Sequence, residues 1–195
     1  MRNHLNKYIR IKGSQHGFTK GSSCLTNLLE FYETVCVDEG KAVDIVYLDF
    51  KKTFDKVPHR RLLAKVRASG VAGQVANWIA NWICDRRQRV AVSGRMSCWD
   101  DVSSGVPQGL VLGPLLFIIQ ITDLDRGVKS KLWIFEDDTK LGGKVNSRGG
   151  GDQIQESFDT CIDWAKDWQM EFNLSMCKVL GMGRVMKIEI TGCKW

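Results

Sequence analysis

No C-x-x-C pair occurs in this chain, although it carries seven cysteines, Cys24, Cys36, Cys84, Cys98, Cys161, Cys177 and Cys193. Structural zinc sites and compact disulfide frameworks bring cysteines closer together than this. Their odd number and mostly apolar settings suit free thiols in a reducing compartment. The opening residues, MRNHLNKYIRIKG, lack the apolar core of a secretory signal. The longest apolar stretch, Val111 to Ile119, is interrupted by Gly113-Pro114 and is too short to span a bilayer. These absences lead us to expect a soluble intracellular protein, nuclear or cytoplasmic, with no membrane partner. There is also no internal repeat and no regular strand–helix–strand alternation, which argues against a doubly wound parallel sheet.

What the chain does have is ordinary globular material. Its 195 residues suffice for one domain with a real core or for two small ones. The apolar fraction of 44% and charged fraction of 26% are those of a folded protein. A net charge of +6 and a pI near 9.0 permit an anionic partner, nucleic acid first.

The periodicity predicts an α+β fold. Leu25, Leu28, Leu29, Tyr32 and Val35 form a helical stripe, which Asp38-Glu39-Gly40 stops. KAVDIVYLDF reads as a buried central strand, apolar on both faces apart from Asp44 and Asp49. Pro58 starts a helix that Gly70 ends. Val75, Trp78, Ile79, Trp82 and Ile83 make the stripe of the next helix, and its tryptophans are taken as core. RRQRVAVSGRMSCWDDV reads as two strands joined at Ser93-Gly94. SSGVPQGLVLGP is a loop leading into an apolar helix that runs to about Asp123. LWIFEDDTKL and TKLGGKV form a hairpin with acids at its turn. NSRGGG reads as a linker, and Asp152 with Gln155 as a capping-box variant opening a helix. Ile154, Phe158, Ile162, Ala165, Trp168 and Phe172 line that helix, and KVLGMGR is a short last strand. Such an order favours helices on one face of a mainly antiparallel sheet.

Two places carry chemistry. Glu136, Asp137 and Asp138 end an apolar run; a water-facing turn accounts for them, and so does a site for a hard divalent cation. Asp49 ends a strand that should be buried, where an ionised carboxylate is costly unless it is paired or bound to a cation. Capping of the next turn would also explain Asp49. If the hairpin pairs beside this strand, however, Asp49, Asp137 and Asp138 converge. Three convergent carboxylates suit two Mg²⁺ ions ~4 Å apart, the clamp used for in-line displacement at phosphorus.

Five segments, in order, carry a resemblance: QHGFTKGSSCLTNLLEF, VDIVYLDFKKTFDKVPH, SSGVPQGLVLGPLLF, FEDDTKL and DWQMEFNLSMCKVLGMGR. From about Gln15 to Arg184 the chain closely resembles the reverse transcriptase of non-LTR retrotransposons, the LINE type of the jockey and CR1 elements. The resemblance implies an RNA-directed DNA polymerase. Its fold would be a polymerase palm, a mainly antiparallel sheet backed by helices, with partial fingers and no thumb. Residues 1–40 would belong to the fingers, 41–184 would be the palm, and 185–195 a truncated tail. It implies that Asp49, Asp137 and Asp138 are catalytic and bind two Mg²⁺, or Mn²⁺, with the backbone carbonyl of Phe50 as a further ligand. Phe54 would crowd the 2′ position of the incoming dNTP, Gln108 and Gly109 would pack on nucleotide and template, and Lys178 would help protonate the pyrophosphate. RNA template, DNA primer and dNTP are the implied partners. The chain departs from the family pattern at Ser22, Thr53, Leu110 and Glu136. Glu136 stands where a small residue is usual, facing the primer end. A fourth carboxylate there leads us to expect weak or absent polymerase activity. The alternative function is a catalytically dead palm remnant that binds RNA or DNA through a basic surface, for which KAVDIVYLDFKK and CDRRQRVAVSGR are candidates.

Overall fold

The computed structural model describes residue 8 and residues 11–36, 42–109, 111–145 and 148–182. The chain forms two compact units, one of Met1–Arg10 with Lys52–Ile121 and the other of Ile11–Lys51 with Thr122–Trp195. Leu110 and the tail 185–195 lie outside the described residues.

The second unit holds a four-stranded antiparallel sheet in the order β6-β7-β1-β8, made of β1 (Val43–Leu48), β6 (Lys131–Phe135), β7 (Asp138–Lys144) and β8 (Lys178–Met182). The run VDIVYL takes the central place that its β-branched, two-sided apolar pattern predicts, with Val43, Ile45, Val46 and Leu48 all buried. One face carries Val43 and Ile45 with Trp133, packed against Phe31 of helix α1 (Cys24–Cys36). The other face meets the long helix α5 (Arg148–Trp168), where Ile154 lies against Gly143. Asp44 is on that second face, paired with Gly143 and Gly181, and its Oδ2 is buried without a hydrogen-bond partner.

Three expectations are corrected here. The stripe Leu25, Leu28, Leu29 and Tyr32 is exposed, and the face of α1 turned to the sheet carries Asn27 and Phe31. The T-shaped contact of Phe31 with Trp133, 5.4 Å between centroids, fixes this rotation. Glu30, on the same side, meets His16 at 2.9 Å and Lys131 at 3.0 Å. Second, NSRGGG is not wholly a linker: α5 already begins at Arg148, so Asp152 and Gln155 lie inside the helix and form no capping box. Gly150 makes this start possible, since a Cβ there would collide with the Lys144 carbonyl and stand 2.8 Å from Val145 Cα. The side chain of Gln155 instead donates to Asp159 Oδ1 at 2.9 Å. Third, α5 stops at Trp168, so Phe172 is not a helical residue; it pairs with Phe50 across an antiparallel bridge.

The first unit holds α2 (His59–Ala68), α3 (Gly73–Ile83) and α4 (Leu112–Ile121). It also holds two small ribbons, β2 (Arg86–Gln88) with β5 (Asp100–Val102) and β3 (Ala91–Val92) with β4 (Arg95–Met96). Ser93 and Gly94 both have positive φ, the signature of a tight hairpin turn. Every residue of α4 from Gly113 to Ile121 is buried, which explains why its sequence has no polar face. Trp78 was expected in the core, but it is 45% exposed and stacks on Trp82 at 6.1 Å; Ile79 and Ile83 fill the core instead. Among the described residues no helix is long and apolar enough to cross a membrane, and Cys24, Cys84, Cys98 and Cys161 are free thiols.

Candidate active site at the acidic turn

The β6–β7 hairpin pairs Phe135 with Asp138, so its loop is Glu136-Asp137. Glu136 has φ +60. A two-residue hairpin loop with positive φ at its first position normally places glycine there. A side chain in that region costs ~1–3 kcal/mol and persists only where the surroundings hold it.

Segment 14–17 supplies the hold. His16 N donates to Ile134 O and Ile134 N to Ser14 O, both at 2.8 Å, laying Gln15 beside β6 as a short parallel bridge. The buried Gln15 side chain then closes on the turn. Its Nε2 donates to Glu136 O at 3.1 Å, and its Oε1 accepts from Glu136 N at 3.1 Å and from Gly17 N at 2.6 Å. A Cβ on Gly17 would collide with Glu136 N and lie 2.6 Å from its Cγ.

The register that sets Leu48 against Thr139 brings the next residue of β1, Asp49, alongside Asp138. Its backbone is pinned on the other side: Asn173 N donates to Asp49 O at 2.7 Å and Lys51 N to Glu171 O at 2.8 Å. Phe50 is buried there, stacked on Phe172 at 4.3 Å. Asp49 and Asp138 line a cavity of about 390 Å³ together with Cys24, Tyr47, Lys140 and Met176. Behind the acids runs a second row across the sheet, Lys140, Tyr47 and Lys178, from strands β7, β1 and β8.

Electrostatics record the crowding. Burial pushes the Asp138 carboxyl above the usual range, and Asp137 and Asp49 push it further, against a smaller opposite pull from Lys140. Burial also raises Glu136, helped by Asp137 and Asp138. Carboxylates that repel one another in this way, with oxygen-only donors, suit a hard divalent cation. Among the described residues no three His, Cys, Asp or Glu side chains form a ready metal-binding group. The structure thus opposes Asp49 to Asp138 and sets Asp137 in the adjoining loop.

The remaining expected site residues, apart from Lys178, lie in the first unit. Phe54 is half-buried, with its ring 5.1 Å from Phe117, and its carbonyl accepts from Val106 N at 2.8 Å. Gln108 and Gly109 are exposed. Gln108 lines a separate cavity of about 500 Å³ with Lys52, Lys56, Arg86 and Asp55. Sequence reasoning gave no role to Gln15, Gly17, Tyr47 or Lys140. A signal existed for the first two, since QHG stands among the family-like segments, but a contact of |i−j| 121 is not legible from spacing.

Comparison with known proteins bears on the family and the fold. The probable RNA-directed DNA polymerase from transposon BS of Drosophila melanogaster is 28% identical over 172 residues, which is 82% of this chain and 19% of that protein. The RNA-directed DNA polymerase from mobile element jockey of the same species is 28% identical over 140 residues, 67% of this chain and 15% of that protein. The chain thus spans less than a fifth of the length of these relatives. Telomerase from Candida Tropicalis, solved in complex with a fragment of telomeric RNA, superposes with a TM-score of 0.65 at 11% identity, covering 92% of this chain and 32% of that one. At that identity the likeness speaks for a palm-like α+β fold alone. The family described as Reverse transcriptase (RNA-dependent DNA polymerase) matches residues 1–194, and the chain belongs to it, as a member of the non-LTR, LINE type.

Proposed function

We propose that this chain is the palm of an RNA-directed DNA polymerase that extends a primer 3′-hydroxyl with dNTPs on an RNA template. The observation that carries the reading is the opposition of Asp49 and Asp138 across the β1–β7 edge, in one cavity beside a row holding Lys140 and Lys178. Asp49, Asp137 and Asp138 would hold two Mg²⁺ or Mn²⁺ ions, with the Phe50 carbonyl as a further ligand. When bound, such ions lower the pKa of an attacking hydroxyl and neutralise charge on the leaving phosphate.

The chain's own residues do the rest. Pairing of β1 with β7, and the bond from Asn173 N to Asp49 O, fixes the backbone that carries the carboxylates before substrate arrives, which limits reorganisation in the reaction. Lys178 stands across β1 from Lys140, a place from which an ammonium can offer a proton to departing pyrophosphate. Phe54 acts as the 2′-hydroxyl filter, and Gln108 with Gly109 as the surface under nucleotide and template; these roles rest on the family motif. We take residues 41–184 as the palm and 1–40 as part of the fingers.

One observation favours a second reading, a palm that binds nucleic acid without catalysis. Glu136 adds a carboxyl that burial first, and Asp137 and Asp138 after it, hold above its ordinary range, so a fourth acid stands where phosphates would approach. Primer extension on poly(rA)·oligo(dT) with Mg²⁺ separates the two. The polymerase reading expects template-dependent incorporation that falls about 10³-fold in Asp49→Asn, the factor for losing ~4 kcal/mol of metal-assisted charge stabilisation. No incorporation, with salt-sensitive RNA binding retained, would select the second.

A further inference from the structure

We propose that Gln15 is a positioning residue of the acidic turn: its side-chain amide clamps the Glu136 backbone in the left-handed region and so sets the direction in which Asp137 and Asp138 leave the loop. The catalytic consequence rests on the polymerase reading; the clamp does not.

Three observations converge on it. Glu136 sits at φ +60 without being glycine, so something outside the loop must hold it there. Gln15 meets both polar groups of that one residue, its N–H and its C=O, and is itself 4% exposed. Gly17 donates to the same Oε1 and approaches Glu136 so closely that no Cβ fits between them.

The chemistry selects an amide. Among side chains in their usual charge state at pH 7, the Asn and Gln amides set an N–H donor and a C=O acceptor side by side, which is what an N–H and a C=O on one residue require. A carboxylate would accept from Glu136 N but could not donate to Glu136 O. A lysine or arginine would donate only, and its charge would compete for the aspartates. An uncharged clamp fixes the turn and leaves the carboxylates free for a cation. The anchoring strand bonds, Ser14 and His16 to Ile134, keep the amide from swinging away.

The test compares the 195-residue chain with Gln15→Met, which keeps length but loses the amide, and Gln15→Glu, which keeps only the acceptor. Both are also made in a Glu136→Gly background, because glycine adopts φ +60 without help. Hydrogen exchange by NMR reads the residue 136 amide, and Mn²⁺ titration by EPR reads the carboxylates. In Gln15→Met the 136 amide should exchange about tenfold faster while β1 and β7 amides keep their protection. Mn²⁺ affinity should fall about tenfold, the usual effect of losing a group that orients a ligand. In the Glu136→Gly background the same Gln15 changes should cost little affinity. An unchanged 136 amide in Gln15→Met, or an equal affinity loss in both backgrounds, would overturn the clamp. Where Gln15→Met does not fold, Gln15→Glu decides: it should retain the 136 amide's protection yet lose Mn²⁺ affinity only when residue 136 is not glycine. Neither readout needs turnover. Clamp effects in a chain that never incorporates dTMP would support the clamp and count against the polymerase reading alone.

Discussion

Asp138 is placed where its charge works against folding. Its folded-state pKa is raised by burial and by Asp137 and Asp49, so around and above pH 3.8 the folded chain binds more protons than the unfolded one. Stability contributed here is therefore present at low pH and falls as pH rises through that raised value. Asp138→Asn should raise the melting temperature at pH 7 and leave it nearly unchanged at pH 3.5–4. The side chain is exposed, so the gain should stay below ~1 kcal/mol, or about 2–4 °C. Calorimetry at the two pH values checks it, and added Mg²⁺ should shrink the difference. Asp44 makes the same case from the interior, buried on β1 with Oδ2 unpartnered and its pKa raised by burial. Asp44→Val should stabilise the chain by about 1–3 kcal/mol at pH 7. Urea denaturation reads this, with primer extension unaffected. Glu136 is half-buried, with its Cγ beside Gly17. Removing its charge should raise any polymerase rate: relief of ~1.4 kcal/mol is about tenfold. Glu136→Ala removes charge only and Glu136→Gly removes charge and strain, so Gly should exceed Ala in primer-extension rate.

At the scale of elements, some features were legible and others were not, for physical reasons. The central strand could be read because VDIVYL is β-branched and two-sidedly apolar, a pattern that few other environments accept. The acidic hairpin could be read because the change from apolar run to carboxylates marks a turn. The orientation of α1 was not legible: four apolar residues share its outer face, and the sheet is met by Asn27 and Phe31. Periodicity finds a stripe, but only tertiary partners, here Trp133 and Lys131, decide which stripe is buried. Phe31→Ala should accordingly cost about 3 kcal/mol, whereas Leu28→Glu should stay within about 0.5 kcal/mol. Chemical denaturation of the two variants tests the rotation directly. The start of α5 was hidden because three glycines argue against a helix, and the gain from bringing α5 against Lys144 and Val145 is invisible in sequence. The acidic site was half legible: Asp49 and the turn were found, but Gln15 and Gly17 act from 121 and 119 residues away, beyond any local pattern.

At the scale of the whole molecule, the chain passes between its units at Arg10/Ile11, Lys51/Lys52 and Ile121/Thr122, and neither of the last two crossings has the composition of a linker. Net charge +6 supplies general attraction to phosphates, and the exposed β2–β5 region adds Arg87 and Arg89 over the Trp99 ring, at 5.9 and 4.5 Å. RNA affinity should therefore fall about tenfold or more between ~50 and ~200 mM salt, with little dependence on sequence. Fluorescence anisotropy on two unrelated RNAs checks both points. We propose, more narrowly, that Asp49 and Asp138 act together on a divalent cation as the catalytic pair of this fold. EPR titration of Mn²⁺ with primer–template and dTTP present, on the native chain, Asp49→Asn, Asp138→Asn and the double variant, tests it most directly. The account predicts that each single change weakens Mn²⁺ binding about tenfold or more and that the double adds little beyond either. Native affinity in either single variant, or fully additive losses in the double, would contradict it.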